Sequence, residues 1–236
     1  ETIMQYSGNI SGSAPYIVKY KVSATGLAQG VIVCAAPDGS SGEIIVTAAT
    51  ATANQLGTLL DAANSRTGET LTYSTTQGAE EAAYSVIINP DQVLRALMVT
   101  GATGTGITQD TVVTAASNGL TVVGGTSVAS PDMDQGTIWY TSGANVGRSR
   151  KIVSTSSVTA TVVVPFAANA VGDTFLYAGI SPGLQGITLT TSVQNARADI
   201  AVATGVNVTT VKMECNGAND SYVHVVLTDH VLAQTT

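Results

Sequence analysis

The sequence is poor in charged residues, and the charge that it carries is mostly acidic. Only 11% of its 236 residues are charged, with 9 Lys and Arg against 16 Asp and Glu, which gives a net charge of −7. Nucleic acids and anionic membranes are bound by dense positive charge, so neither is expected as a partner. Because 44% of the residues are hydrophobic, we predict a folded chain whose uncharged polar surface suits lasting association.

Cysteine is nearly absent, which excludes a disulfide framework. Cys34 and Cys215 are the two cysteines, and they lie far apart in the sequence. Neither belongs to a CxxC motif or to a Cys/His zinc spacing. We expect two buried thiols and keep a single disulfide between them as the alternative.

Candidate metal ligands are also few. His224 and His230 would share one strand face if a strand ran through both, but zinc needs about four ligands. Asp132 and Asp134 form an Asp-x-Asp-x-Gly pattern, whereas calcium takes about six to eight oxygens. We therefore predict no metal and no cofactor.

Long hydrophobic runs are missing as well. No stretch approaches the roughly 18 apolar residues of a membrane-spanning helix. The chain opens at Glu1 without the charged and apolar regions of a signal peptide. No signal peptide is therefore visible, and the sequons at Asn9, Asn207 and Asn219 are interpreted as chance matches.

Catalytic motifs are absent apart from one misleading segment. Residues 125–131, GTSVASP, resemble the nucleophile motif of subtilisin-like proteases, in which Ser127 would be the nucleophile. In that family the His and Asp partners precede the Ser, but no His precedes Ser127 here. Trp139 is the only Trp, which argues against the aromatic platforms of sugar-cleaving enzymes. We predict that the protein is not an enzyme.

The pattern that dominates the sequence is alternation of β-branched or small residues with polar ones, which is typical of β-strands. Turn dipeptides such as Asn118-Gly119 and Asn216-Gly217 separate the alternating segments. We predict an all-β fold, a barrel or sandwich with a second smaller β unit. One or two short helices are expected, at Asn54–Asn64 and Gln194–Ala203. The predicted strands are Tyr16–Val22, Glu43–Thr47, Glu69–Tyr73, Ala83–Ile88, Thr111–Thr114, Leu120–Val123, Thr137–Tyr140, Thr159–Val164, Thr174–Tyr177, Val206–Met213 and Tyr222–Leu227.

The predicted organisation is an N-terminal arm followed by two β domains. Residues 1–14 form the extended arm, residues 15–101 the first β domain and residues 102–236 the second, with the boundary in the Gly/Thr-rich segment 101–106. The arm is either a flexible tail or a strand that orders on a neighbouring subunit. In the second case its anchors and interface residues are Ile3, Met4, Tyr6 and Ile10.

Residues 141–175 carry a family resemblance. They read TSGANVGRSRKIVSTSSVTATVVVPFAANAVGDTF, a Gly/Asn turn, an Arg-Ile strand, an apolar strand ending in Pro and then Gly-Asp. This pattern resembles a segment that recurs in virion proteins of tailed bacteriophages. Residues 86–96, in which an Asn-Pro step precedes a strand carrying an Arg, and the closing strand at 222–232 also resemble such proteins.

The resemblance implies a virion structural protein of the capsid decoration, or cement, type. Such a protein binds the outside of the major capsid protein lattice, stabilises the shell, and is commonly a homotrimer located on the capsid surface. The alternatives are another virion component (head fibre, tail or adaptor protein) or, from another class, a carbohydrate-binding module or adhesin.

Three of the nine cations lie together at Arg148, Arg150 and Lys151. Strand alternation would place Arg148 and Arg150 on one face and Lys151 on the other. In an acidic chain this cluster is a candidate interface with the capsid or an adjacent subunit, and a solvated hairpin is the alternative.

Overall fold

The computed structural model describes residues 5–22, 30, 32–37, 44–48, 55–60, 83–98, 107–125, 133–183, 187–190, 197–198, 206–228 and 230. In these ranges the chain forms β-strands and one short 3₁₀ turn, Gly143–Asn145. The predicted all-β class is therefore confirmed.

The strands are short and are numbered in chain order. They are β1 (Gln5–Asn9), β2 (Ile17–Val22), β3 (Ile32–Pro37), β4 (Ile44–Ala48), β5 (Gln55–Leu59), β6 (Ala83–Ile87), β7 (Gln92–Met98), β8 (Thr108–Thr114), β9 (Thr121–Gly124), β10 (Thr137–Tyr140), β11 (Ser149–Ser156), β12 (Thr159–Val162), β13 (Thr174–Ala178), β14 (Ile187–Thr190), β15 (Arg197–Ala198), β16 (Val206–Glu214) and β17 (Tyr222–Leu227).

The strand pairings define two closed barrels and one further sheet. The first barrel has the order β2-β4-β3-β5-β6, and the second has the order β10-β11-β12-β9-β8-β13. The remaining strands form a third sheet, with the order β1-β7-β15-β14-β16-β17. We call it the ring sheet, because β17 also pairs with β7 and so closes a ring of strands. Most pairings are antiparallel, while β2–β4 and β15–β7 are parallel.

The ring sheet is assembled from distant parts of the chain. Strand β7 pairs with β1, β15 and β17. The first barrel lies in sequence between β1 and β7, and the second between β7 and β14. The predicted domain boundary at residue 101 lies outside the described residues, and β7 pairs with strands on both sides of it.

One apolar core joins the three units. Alternation in β7 turns Leu94, Ala96 and Met98 inward, and they are buried, while Arg95 and Leu97 stay partly exposed. We call this shared core the junction core, and both barrels contribute side chains to it. The first barrel contributes Ile32 and Cys34. The second barrel and its flanking residues contribute Ile107, Trp139, Leu176, Ala178 and Ile180. A shared core of this kind makes independent movement of the units costly.

The predicted helix at Asn54–Asn64 is wrong where the structure describes it. Residues 55–59 form strand β5, all buried. Leu56 and Leu59 imitate helical spacing, but tertiary pairing with β3 and β6 decides the conformation. Gly57 is required because a Cβ there would overlap the Ile87 carbonyl group. Of the second helical window only 197–198 is described, as strand β15.

Several predicted strands are confirmed, and other strands were not in the strand prediction. Tyr16–Val22, Ala83–Ile88, Thr137–Tyr140 and Tyr222–Leu227 agree with observed strands within a residue or two. Glu69–Tyr73 lies outside the described residues. The strands that the alternation pattern did not reveal are β1, β3, β5, β14 and the two-residue β15, together with β7 and β11, which only the family resemblance implied. In the described part of the chain, no helix has the length and apolarity needed to cross a membrane.

Candidate functional site

The cation-bearing segment lies where β10 turns into β11. The 3₁₀ turn between them uses Gly143 and Gly147 at positive φ, 76° and 75°, a region that favours glycine. A Cβ on Gly143 would also overlap the Asp173 carboxylate. The turn closes through the Arg148 amide, which donates to the Asn145 carbonyl over 3.0 Å. Arg148 is thereby presented at the start of β11.

Two buried asparagines hold the neighbouring segment 163–170 against the second barrel. Asn145 is fully buried, and its side chain donates to the Ala167 carbonyl and accepts from the Ala167 amide, both over 3.0 Å. Asn169 accepts from the Ala116 amide over 2.8 Å and donates to the Tyr140 hydroxyl over 3.1 Å. These bonds replace strand pairing and fix a segment that has no regular structure.

The three cations do not form one exposed group. Arg148 and Lys151 are exposed, whereas Arg150 is half-buried. The Arg150 guanidinium carbon lies 5.1 Å from the centre of the Phe166 ring, and its Nη1 donates to the Ser149 carbonyl over 2.8 Å. Part of the Arg150 side chain therefore packs on the barrel, and the freely presented cations are Arg148 and Lys151.

An apolar face accompanies Lys151 on the outside of the second barrel. Ile152 and Val162 point into the barrel and are buried, so their neighbours Lys151, Val153 and Val163 point outward. The Val163 amide donates to the Lys151 carbonyl over 3.0 Å, which places these two residues side by side. We call these three outward residues the β11–β12 face.

A β-bulge between Ile152 and Ser154 shapes this face. It turns both Val153 and Ser154 outward, and both are exposed. Val153 is 46% exposed and Val163 is 57% exposed, although valine is usually buried. The face therefore presents apolar area next to a positive charge. Further exposed apolar residues on the same barrel are Val113, Leu120, Val146, Val164 and Val171.

The N-terminal candidates are only partly described. Ile3 and Met4 lie outside the described residues. Residues 5–9 form β1 on the edge of β7 of the same chain, where Tyr6 is paired with Leu94. Ile10 follows the strand and is 62% exposed. The Ser11 amide donates to the Asp91 carboxylate over 3.0 Å, which fixes the end of this strand.

Sequence reasoning missed a polar cluster on the ring sheet. Arg95 donates to Glu214 Oε2 from Nη2 over 2.7 Å and from Nε over 3.2 Å. Glu214 Oε1 lies 2.7 Å from His224 Nε2. The Arg95 guanidinium carbon lies 3.3 Å from the centre of the Tyr222 ring. Strand register assembles the cluster, because β7, β17 and β16 pair side by side.

The cluster stabilises a carboxylate. Hydrogen bonds from Arg95 first, and then the contact with His224, lower the pKa of Glu214 from 4.5 to about 2. Because each carboxylate oxygen has a protein partner, Glu214 is poorly placed to act as a general base. The arrangement is that of an ion pair which ties three strands together.

The other chemical candidates are dispersed. Strand β17 ends at Leu227, so His224 and His230 do not share a strand face, and His230 pairs instead with Gln55. Ser127 and Asp132 lie outside the described residues, and Asp134 accepts from the Thr155 hydroxyl over 2.9 Å. Over the described ranges, no three His, Cys, Asp or Glu side chains group as metal ligands do.

The cysteines are not joined to each other. Both are thiols, Cys34 buried and Cys215 half-buried. Burial raises the pKa of the Cys215 thiol to about 11, against the effect of a hydrogen bond with Ser149. Such a thiol is a poor nucleophile at neutral pH.

The fold and these surfaces define an all-β protein in which two closed barrels and a ring sheet share a core. Comparison with protein-family models, with curated proteins and with solved structures finds no match to this chain.

Proposed function

We propose that this chain is a structural protein of a tailed-bacteriophage virion, of the capsid decoration type. It binds the outside of the major capsid protein lattice, stabilises the shell, and resides on the capsid surface. The identity of the partner comes from the sequence resemblance of residues 141–175, 86–96 and 222–232. The structural observation that carries the proposal is the β11–β12 face.

This face is suited to docking on another protein. Val153 and Val163 offer apolar area that gains free energy when it leaves water, at roughly 25 cal/mol per Å². Lys151 and the nearby Arg148 add positive charge in a chain of net charge −7, so they favour an acidic partner surface and oppose docking of like-charged regions. Buried Asn145 and Asn169 keep the adjacent segment ordered, which lowers the entropy cost of binding.

The stabilising mechanism is mass action. A ligand that binds only the assembled shell stabilises it by RT ln(1 + [L]/Kd) for each site. The family resemblance implies a homotrimer, and in a trimer several weak contacts held together would raise the effective concentration of each one. Exposed valines on the second barrel offer apolar area for both the self-contact and the capsid contact.

The experiment is co-sedimentation of the protein with undecorated shells. Reversing charge with Arg148→Glu and Lys151→Glu is expected to weaken binding about tenfold or more at low salt, with a smaller effect at high salt. Val163→Asp is expected to weaken binding at all salt concentrations. Lys19→Glu, which changes an exposed cation on the first barrel, is the matched control and should bind normally.

Unchanged occupancy of the Arg148/Lys151 variant at low salt would remove the docking role of this face. Binding of the wild-type protein to tails or fibres, but not to shells, would support the alternative virion role. Sedimentation of the isolated protein tests the trimer, and a monomer that also occupies isolated positions on the shell would contradict it.

A further inference from the structure

Four polar side chains are buried together where the first barrel meets the ring sheet. Gln55, Thr58 and Gln92 are 0%, 1% and 0% exposed, and His230 is 0% exposed. Strand pairing sets Thr58 opposite Ile32 and Gln55 opposite Cys34. Residues directly opposite in an antiparallel pair share a face, so Gln55 and Thr58 face the junction core.

Thr58 and Gln92 touch across this junction. The Thr58 hydroxyl donates to the Gln92 side-chain oxygen over 2.6 Å. The Gln92 side-chain nitrogen donates to the carbonyl oxygens of Ile87 and Asn89, over 3.2 and 2.9 Å. The carboxamide is therefore held on both sides, and its carbon is one covalent bond away from the oxygen that the Thr58 hydroxyl contacts.

We propose that Thr58 and Gln92 react to form an intramolecular ester that covalently joins β5 of the first barrel to β7 of the ring sheet. The Thr58 Oγ1 atom forms a bond to Cδ of Gln92, and the bond from Cδ to Nε2 breaks. The hydroxyl proton passes to the departing nitrogen, which leaves as ammonia. No oxidant, reductant or other reactant is consumed.

Three features of the surroundings support this reaction. The hydrogen bond holds the Thr58 hydroxyl beside the carboxamide, so the step is intramolecular. A rotation that brings Oγ1 from the carboxamide oxygen over Cδ would give the aligned arrangement in which effective concentrations reach about 10⁵ M or more. The carbonyl oxygens of Ile87 and Asn89 would stabilise positive charge as the nitrogen gains its proton. Complete burial keeps water from the product, so the ester would persist once formed.

The crosslink would have a mechanical consequence. Strands β5 and β7 belong to different units, and Asn89 and Pro90 lie in the turn that leads from β6 into β7. An ester at this point closes a loop between residues 58 and 92, which restricts the unfolded chain as other crosslinks do. This inference stands on the buried pair and does not depend on the proposed function.

Intact mass spectrometry of the denatured wild-type protein is the test. We expect a mass lower than that of the sequence by one ammonia, and a digest with a branched peptide joining the segments that contain Thr58 and Gln92. Hydroxylamine at alkaline pH should cleave that branch. Thr58→Val and Gln92→Glu are expected to have the full mass calculated from their sequences.

Gln55→Met is the matched control, because it removes a buried glutamine from the same cluster and leaves the reacting pair intact. It should keep the ammonia loss when it folds, which circular dichroism checks. Succinimide formation at Asn118-Gly119 or Asn216-Gly217 also releases ammonia, but it would persist in Thr58→Val and would give no branched peptide. A folded wild-type protein without the branched peptide overturns the proposal, and this decisive result does not depend on the folding of any variant.

Discussion

Trp139 and Asn216 join the second barrel to the ring sheet through a hydrogen bond from the indole Nε1–H to the Asn216 carbonyl oxygen, 2.8 Å long. Trp139 is fully buried in the junction core. Nearby, the Thr137 hydroxyl lies 3.4 Å from the sulfur of Met213 and donates to the Ile180 carbonyl over 2.7 Å. The two units are therefore held by apolar packing together with specific polar contacts.

Replacing Trp139 by Phe tests this connection. The variant keeps an aromatic ring but loses the indole N–H donor. The Asn216 carbonyl then lacks this hydrogen bond, and the smaller ring leaves a small cavity. We expect a loss of about 2 kcal/mol in the free energy of unfolding. Denaturant titration followed by circular dichroism measures the change, and an unchanged midpoint would show that the bond contributes little to stability.

Gly57→Ala tests the close approach of β5 and β6. The added methyl group would overlap the carbonyl of Ile87, a backbone atom that cannot move without disturbing the pairing of Thr58 with Ile87. We expect a loss of about 1–3 kcal/mol, as for other overpacked sites. Gly217→Ala is a suitable control, since a Cβ there meets nothing within 4 Å, and equal stability of the two variants would contradict the packing argument.

His230 should make stability depend on pH. Burial lowers the pKa of His230 below 6.5, and a hydrogen bond to the Leu56 backbone opposes this effect. Below about pH 6.5 the unfolded state therefore binds a proton that the folded state does not. The stability that His230 contributes is complete above that pH and is lost as the pH falls through the folded pKa.

Unfolding midpoints at about pH 7.5, 6.5 and 5.5, which bracket the ordinary pKa of histidine, measure this dependence. His230→Asn removes the titrating group and should flatten the slope, even if the variant is less stable at every pH. An identical slope in both proteins would mean that His230 does not cause it.

The sequence predicts the strands in which apolar and polar residues alternate regularly. It fails where pairing with distant strands decides the local conformation. Strand β17 is visible because apolar residues recur at Val223, Val225 and Leu227, and the structure buries all three. Strand β5 is not, because its leucines and glycine satisfy a helical pattern equally well. Gln55 and Gln92 carry no signal either, since buried amides look like surface residues in a sequence.

The sites show the same limit. Arg148 and Lys151 are found because they are close in sequence, although the packing of Arg150 against Phe166 is not predicted. Arg95 and Glu214 are 119 residues apart, and only the register of β7, β17 and β16 brings them together. A cluster of this kind depends on strand order, which composition and spacing do not reveal.

Asn145→Asp tests the buried amide that holds segment 163–170. The Asn145 side chain donates to and accepts from Ala167, whereas a carboxylate can only accept. In the variant a carboxylate oxygen would face the Ala167 carbonyl oxygen, so two acceptors would meet. A charge would also be buried, which costs free energy. We expect a loss of about 1–3 kcal/mol, read from thermal unfolding. Ala144→Ser changes the exposed neighbour in the same turn and is the control that should leave stability nearly unchanged.

Glu214→Gln tests the ion pair on the ring sheet. The pKa of Glu214 is lowered from 4.5 to about 2, first by Arg95 and then by His224, so the folded state binds its proton more weakly than the unfolded state. The resulting stability is present above pH 4.5 and is lost as the pH falls towards 2.

Because the Glu214 side chain is 25% exposed, we expect the Glu214→Gln variant to lose only about 1 kcal/mol at neutral pH, as a solvent-screened pair does. Unfolding measured from neutral pH down to about pH 2 should show the wild-type advantage shrinking below pH 4.5. Arg95→Gln removes the main cause and should move the pKa of Glu214 back towards 4.5 in a carboxyl NMR titration. A wild-type advantage that stays constant over the whole acid range would mean that packing, and not the charge of Glu214, holds the three strands together.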